Sequence, residues 1–112
     1  MFVARIAGGS AGVLHGRTVH AKPNREYGSP DDPVILILPH GGIEYYTTVV
    51  FTARKCGSLG VVMATGGAAC HLATNVREMA APVALMLCPD ALERIPEGVQ
   101  ATLNPATCSL EL

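Results

Sequence analysis

Charged residues are scarce in this sequence, and tryptophan is absent. Only 15% of the residues are Asp, Glu, Lys or Arg, the formal net charge is -1, and the eight Lys and Arg residues form no basic cluster. A nucleic-acid-binding surface needs clustered cations, because binding displaces counterions from the phosphates. We therefore expect no nucleic-acid partner.

Long hydrophobic runs and a recognisable leader are also missing. Uninterrupted apolar runs such as "VILIL" are far below the ~18 residues of a membrane-spanning helix. The opening "MFVARIAGGS" does not have the charged region and long apolar segment of a secretory signal. These absences predict a cytoplasmic protein with no membrane partner.

The cysteines form neither a metal-binding pattern nor a disulfide framework. The four cysteines are Cys56, Cys70, Cys88 and Cys108, and no two of them form a CxxC pair. In a reducing cytoplasm they stay thiols, and as small apolar residues they suit a core. Zinc binding through Cys70 and His71 remains an alternative, although the ligand spacing of structural zinc sites is missing. The sequence therefore predicts no metal ligand.

The apolar residues that are present suffice for one core. Hydrophobic residues make up 49% of the 112-residue chain, and chains of ~100–150 residues commonly form one domain. No repeat, linker or low-complexity tract divides the sequence. We therefore predict a single domain over residues 1–112.

The first third of the chain has the patterns of β structure. The segments "FVARIAG" and "VLHGRTVHA" alternate between apolar and other residues around the turn "GGSAG", which predicts a hairpin-like β unit. The following "KPNREYGSPDDP" is rich in proline and charge, and it predicts an exposed loop. The continuous apolar run "VILILP" then predicts a central strand that is buried on both faces.

Two later segments have the apolar spacing of helices. The first runs from Ile43 to Cys56, and Gly57 follows it as a C-terminal stop. A spacing of three or four positions predicts one buried stripe on this helix, formed by Ile43, Tyr46, Val49, Val50 and Ala53. The second helix runs from Ala69 to Met79.

The remaining segments complete the order of elements. "LGVVMA" and "PVALML" predict strands on either side of the second helix, and "VQATLNPATCSLEL" predicts a closing pair of strands. This order predicts an α/β fold, with a central sheet flanked by helices and a β unit formed by the two chain ends.

A glycine pair and a Cys-His dipeptide stand where a turn becomes the second helix, in "MATGGAACHLATNVREMAAP". If the helix begins at Ala69 or Cys70, His71 lies in its first turn. There the backbone N–H groups lack intrahelical partners, and the helix macrodipole leaves a partial positive charge. An anion suits that position, and Gly66 and Gly67 let the backbone approach it. The pattern favours a phosphoryl group carried on His71, against the simpler interpretation of an exposed or locally capping histidine.

The order of residues in this stretch resembles the phosphohistidine signature of the swivelling, or mobile, domain of PEP-utilising enzymes such as PEP synthase and pyruvate phosphate dikinase. The positions that match the signature are Gly66, Gly67, Cys70, His71, Arg77, Glu78 and Pro82. The stretches "IAGGSAGVLHGRTV", "PVILILP" and "EGVQATLNPATCSLEL" resemble the family's opening turn, first core strand and closing hairpin. The resemblance therefore covers nearly the whole chain.

The resemblance implies the β/β/α swivelling fold and a domain that carries a phosphoryl group from an ATP-grasp domain, or a PEP-side site, to a small acceptor such as pyruvate. It implies that His71 is the phosphorylated nucleophile, through Nε2. It also implies that Gly66, Gly67 and Cys70 shape the phosphate-binding loop. No cofactor is expected in this domain itself, because ATP and Mg²⁺ would belong to a partner domain or chain. Without a Walker-type loop or an ATP-grasp domain, the chain would be a phosphotransferase component and not a complete enzyme.

Three further residues are candidates for contacts with a partner or substrate. His40 follows the predicted central strand in "LPHGG", and ligands gather at strand ends in α/β sheets. Thr65 stands directly before the glycine pair. Arg77 lies further along the predicted helix and points away from His71, so it suits a salt bridge or partner docking.

Two other functions stay open. The chain would be a non-catalytic interaction or structural domain if it keeps the swivelling fold without being phosphorylated. Acyl transfer with Cys70 as the nucleophile is disfavoured, because adjacent helical residues project about 100° apart and Cys70 and His71 do not pair easily.

Ala69 stands where the pyruvate phosphate dikinase type has a regulatory threonine, so that regulation is not expected.

Overall fold

Seven strands form one curled sheet at the centre of the fold. The structure, a computed structural model, describes residues 1–8, 12–67, 69–78 and 82–112. The strands are β1 (Ala4–Gly8), β2 (Leu14–His20), β3 (Val34–Leu38), β4 (Leu59–Met63), β5 (Val83–Leu87), β6 (Gln100–Asn104) and β7 (Ser109–Glu111). Their order in the sheet is β1-β5-β4-β3-β2-β6-β7. The strands expected from the sequence are therefore confirmed, and β3 is the central one.

The direction of the strands divides the sheet into a parallel centre and antiparallel edges. Strands β2, β3, β4 and β5 are parallel to one another. Strand β1 pairs antiparallel with β5, β6 pairs antiparallel with β2, and β7 pairs antiparallel with β6. The described residues thus form a mixed α/β domain in which β2 to β5 end at one edge of the sheet.

Three helices accompany the sheet in the described part of the chain. A 3-10 turn at Ile43–Tyr45 leads into α1 (Tyr46–Cys56). The others are α2 (His71–Val76) and α3 (Ala91–Arg94). No sequence pattern predicted α3, which is only four residues long. Within the described ranges, none of the helices combines the length and the hydrophobicity needed to cross a membrane.

The central strands are apolar because both of their faces are covered. Every residue of β3 and β4 is buried. On one face Leu36 packs in a cluster with Val49 of α1 and Leu72 of α2. On the other face Ile35 packs in a cluster with Ile95, which follows α3. Full burial of one such aliphatic side chain stabilises the fold by about 1.5–3 kcal/mol.

The first predicted helix is confirmed in extent but only in part in its buried stripe. Gly57, with φ of 85°, ends α1 and donates its N–H to the Ala53 carbonyl at 2.9 Å. Ile43 and Tyr46 were expected in the buried stripe but are 68% and 39% exposed, and Tyr45 is buried instead. The reason is the 3-10 turn, whose three residues per turn rotate the start of the segment relative to an α-helix.

The second predicted helix is shorter than the Ala69–Met79 span. Cys70 is extended, with φ of -67° and ψ of 159°, so α2 begins at His71 and ends at Val76. Side chains of the helix bond backwards to its own carbonyls: the Thr74 hydroxyl donates to Cys70 O at 3.2 Å, and Asn75 Nδ2 donates to His71 O at 2.9 Å. Such local bonds compete with a longer helix.

Arg77 and Glu78, directly after α2, form a turn. The Glu78 N–H donates to the Asn75 carbonyl at 3.0 Å, three residues back, which tightens the chain after Val76. Arg77 and Glu78 therefore follow the helix instead of belonging to it. Met79, the predicted last helical residue, lies outside the described residues.

The predicted hairpin between the first two strands is wrong. Strand β1 pairs with β5, whereas β2 pairs with β3 and β6. The chain ends do meet: Val3 N–H donates to Cys108 O at 2.9 Å, and Leu110 N–H donates to Met1 O at 2.8 Å. Short-range alternation predicts a strand but not its partner, and here β1 covers the free edge of the apolar strand β5.

Candidate functional site

Two loops at the carboxyl edge of the parallel strands are tied together. Residues 39–42 follow β3, and residues 64–70 follow β4; Ala68 lies outside the described residues. The Thr65 N–H and hydroxyl both donate to Pro39 O, at 3.1 and 3.0 Å. The Leu72 N–H donates to Gly41 O at 3.0 Å. This edge, where ligands gather in α/β sheets, is therefore a connected structure and not two independent loops.

Gly41 permits the close approach of these loops. A Cβ on Gly41 would lie 2.7 Å from Met63 Sδ and 2.8 Å from Cys70 Sγ, shorter than real Cβ contacts. Gly41 was not among the residues predicted from the sequence, although the glycine pair that follows His40 was a visible signal. Only a residue without a side chain fits this position without displacing its neighbours.

The two glycines before Cys70 have different roles. Gly66 has φ of +140°, and a Cβ there would lie 2.9 Å from Met63 Cε. Around Gly67 no atom lies within 4 Å of such a Cβ, and the Gly67 carbonyl accepts the Cys70 N–H at 3.0 Å. The backbone at Gly66 thus requires glycine, whereas Gly67 leaves open space at its Cα.

Cys70 caps α2 with its thiol. Its sulfur accepts the Ala73 N–H at 3.4 Å, and its carbonyl accepts the Thr74 N–H at 3.2 Å. The side chain is partly buried and packs against the core cluster beneath α1 and α2. A cysteine in the N-cap position takes the role usually filled by Ser or Thr. The predicted contact between Cys70 and a phosphate stays a prediction.

His71 presents an exposed imidazole at the first position of α2. Its ring lies edge-on to the ring of Tyr46, with centroids 6.4 Å apart and planes at 86°. The ring is accessible, and its main chain is held, because the His71 carbonyl accepts Asn75 Nδ2 and the next residue, Leu72, is fully buried. His71 therefore combines an accessible side chain with an anchored backbone.

The expectation of several free N–H donors at the start of α2 is wrong. The N–H groups of Leu72, Ala73 and Thr74 already bond to Gly41 O, Cys70 Sγ and Cys70 O. Only the His71 N–H has no acceptor among the residues that the structure describes. The other groups are satisfied because the 39–42 loop closes over the helix start and because Cys70 caps it.

His40 is held next to this edge by its own loop. Its Nδ1 accepts the Gly42 N–H at 3.0 Å and lies 3.8 Å from Glu44 Oε1. A nitrogen that accepts a hydrogen bond carries no proton, so the neutral ring has its hydrogen on Nε2. The ring also packs edge-on against Tyr45, with centroids 5.2 Å apart. Burial, followed by the charge of Glu44, raises the pKa of the Tyr45 hydroxyl.

Thr65 lies in the loop after β4, and Arg77 lies beyond the C-terminal end of α2. Thr65 is exposed, and its hydroxyl already donates to Pro39 O. Arg77 is exposed in the turn after α2. Among the described residues, no carboxylate forms an ion pair with Arg77. The structure thus brings Thr65, the glycine pair, Cys70 and His71 into one loop-helix unit, with Arg77 beyond its far end.

Within the described ranges, no three His, Cys, Asp or Glu side chains come together as a metal-binding group. No protein-family model matches the chain. No curated protein sequence matches it either. The resemblance to PEP-utilising enzymes therefore depends on the quoted residues, and the geometry around His71 is the basis for a functional proposal.

Proposed function

We propose that this chain is a phosphohistidine carrier domain of the swivelling β/β/α type. His71 accepts a phosphoryl group from an ATP-grasp or PEP-side partner site and passes it to pyruvate or another small acceptor, as in PEP synthase or a dikinase. ATP and Mg²⁺ belong to the partner, and the system operates in the cytoplasm. The observation that carries the proposal is the exposed imidazole of His71 on an anchored helix start, within the sequence that resembles the phosphohistidine signature.

The transfer requires from this chain an accessible ring nitrogen. The lone pair of the neutral imidazole attacks phosphorus, the bond from phosphorus to the donor oxygen breaks, and the leaving group keeps that electron pair. The proton on the other ring nitrogen stays in place. In the second half, an acceptor oxygen attacks phosphorus, and the P–N electrons return to the ring. Positioning and charge stabilisation, which such reactions require, come from the partner sites.

The exposure of the His71 side chain suits a carrier that enters two partner sites in turn. A buried histidine would have to be uncovered for each transfer. The anchored backbone also matters, because Leu72 N–H and Gly41 O join α2 to the loop after β3. The imidazole therefore enters each partner site from an anchored backbone. Docking then loses less conformational entropy than it would with a mobile loop.

One observation favours the alternative of a non-catalytic interaction domain. The α2 helix has six residues, so its macrodipole is small. The N–H groups of Leu72, Ala73 and Thr74 are already bonded within the chain. A phosphoryl group on His71 would find few donors in this domain. If the alternative holds, His71 is a surface residue that never carries phosphate.

The two functions differ in whether His71 becomes phosphorylated. The purified chain is incubated with labelled ATP, or with labelled PEP, in a cell extract that supplies partners. His71→Ala and His15→Ala are compared, because His15 is also an exposed histidine but lies on β2. We expect label that survives base, is lost in mild acid, persists in His15→Ala and disappears in His71→Ala. A folded chain that binds a partner but takes no label from either donor would overturn the carrier proposal.

A further inference from the structure

Tyr46 and His71 form an aromatic pair on the surface. Their ring centroids are 6.4 Å apart, and the rings are nearly perpendicular, at 86°. This edge-on arrangement is one of the preferred geometries for aromatic rings, and it lies within the usual range of about 4.5–7 Å. Tyr46 is 39% exposed, so the core covers its ring only in part.

The backbone on both sides of this pair is held by the same short loop. The Tyr45 N–H donates to Gly42 O at 3.1 Å, and the Leu72 N–H donates to Gly41 O at 3.0 Å. Tyr45 and Leu72, the chain neighbours of the paired residues, are buried at 6% and 0% exposure. The backbone positions from which the two surface rings project are therefore fixed by buried anchors.

We propose that Tyr46 is a positioning residue that holds the His71 imidazole in one orientation for transfer at Nε2, the nitrogen that the resemblance implies. This inference rests on the proposed function. An exposed histidine would otherwise rotate about both side-chain bonds and expose either nitrogen. With the Tyr46 ring against it, the imidazole loses part of this freedom. Nδ1 lies next to the Cβ and the backbone, whereas Nε2 is the distal nitrogen.

Restricting the ring also has an energetic consequence. A ring that is already oriented loses less rotational freedom when it reaches the attacking geometry. An aromatic pair of this kind changes an equilibrium by about two- to tenfold. We expect an effect of that size on the rate of phosphorylation and on the ratio of the two phosphohistidine isomers.

The test uses potassium phosphoramidate, a small donor that phosphorylates histidine without a partner protein. Its P–N bond breaks, ammonia leaves, and a new P–N bond forms to the imidazole. The rate and the ratio of isomers at His71 are followed by phosphorus NMR in the native chain, Tyr46→Ala, Tyr46→Phe and Ile43→Ala. Tyr46→Phe retains the ring. Ile43→Ala is the matched control, because it removes another exposed apolar side chain from the start of the same segment.

We expect Tyr46→Ala to slow phosphorylation or to raise the Nδ1 fraction by about two- to tenfold. Tyr46→Phe and Ile43→Ala should behave like the native chain. Tyr46→Ala with an unchanged rate and isomer ratio in a folded protein would overturn the proposal.

A second measurement does not depend on phosphorylation. Side-chain coupling constants and ring-to-ring NOEs are recorded for His71 in the native chain and in Tyr46→Ala. We expect a single His71 rotamer, with an NOE to Tyr46, that becomes averaged in the variant; an averaged native ring would contradict positioning. A carrier test that fails while these NMR effects persist would refute the function and leave the positioning intact.

Discussion

Gly41 and Cys70 approach so closely that a Cβ on the glycine would lie 2.8 Å from the cysteine sulfur. This contact joins the loop after β3 to the residue that caps α2. The hydrogen bond from Leu72 N–H to Gly41 O, at 3.0 Å, strengthens the same junction. The position of His71 on the surface therefore depends on a glycine that lies thirty residues earlier in the chain.

Gly41→Ala is expected to destabilise the fold by about 1–3 kcal/mol, the usual effect of overpacking a filled site. The added methyl group would meet both Met63 Sδ and Cys70 Sγ, and the two loops would have to separate. Urea denaturation measures the change. A decrease in unfolding free energy below about 0.5 kcal/mol would show that the two loops accommodate the methyl group and that Gly41 is not required there.

Alanine substitutions of Gly66 and Gly67 are a matched test of backbone strain in this loop. Gly66→Ala should cost about 1–3 kcal/mol, because φ of +140° is a region that residues with a Cβ rarely adopt. Gly67→Ala should change the unfolding free energy by less than about 0.5 kcal/mol, since no atom lies within 4 Å of the added Cβ. Equal midpoints of urea denaturation for the two variants would contradict the assigned roles.

Cys70→Ala should destabilise the chain by about 0.5–2 kcal/mol, through loss of the cap on the Ala73 N–H. Cys70→Ser should restore much of this loss, because a hydroxyl oxygen is a better acceptor than a thiol sulfur. Thermal unfolding of the three proteins tests this order. If Cys70→Ser were as unstable as Cys70→Ala, packing against Gly41 and Met63, and not capping, would explain the role of the thiol.

Stability should fall at alkaline pH, in part through Cys56. Burial raises the pKa of the Cys56 thiol above its ordinary value of 9.0. The folded state therefore holds this proton more tightly than the unfolded state. The resulting stabilisation is complete below about pH 9 and is lost as the pH rises through the folded-state pKa.

Urea denaturation of the native chain and Cys56→Ala, at about pH 8 and about pH 10.5, measures this contribution. We expect the native chain to lose more of its unfolding free energy between the two conditions than the variant loses. The Tyr45 hydroxyl, whose pKa is also raised by burial, contributes in the same direction in both proteins. Parallel losses in the native chain and the variant would assign the alkaline effect to other groups.

The sequence was informative where a pattern is local. The run "VILIL" predicted a strand with both faces covered, and β3 has that form. Gly57 predicted the end of α1 because a positive φ suits a helix C-terminus. Pairing between distant strands has no such local signal. The sequence therefore predicted a hairpin where β1 joins β5.

The surroundings of His71 were predictable in composition but not in hydrogen bonding. The glycine pair and the Cys-His dipeptide indicated the loop and the helix start that the structure contains. The sequence could not show that the Gly41 carbonyl would occupy the Leu72 N–H. Nor could it show that Tyr46 would face His71, because the 3-10 turn before α1 leaves Tyr45 in the core and Tyr46 at the surface.

The most direct test of the carrier proposal is to locate the phosphoryl group on the chain. The native protein is incubated with ATP or PEP in an extract that contains its partners, and the modified residue is identified by tandem mass spectrometry under alkaline conditions that preserve phosphohistidine. We expect the phosphoryl group on His71, and we expect it to disappear when pyruvate is added as the acceptor. A phosphoryl group found only on another residue, or on none while the folded chain is bound to a partner, would contradict the proposal.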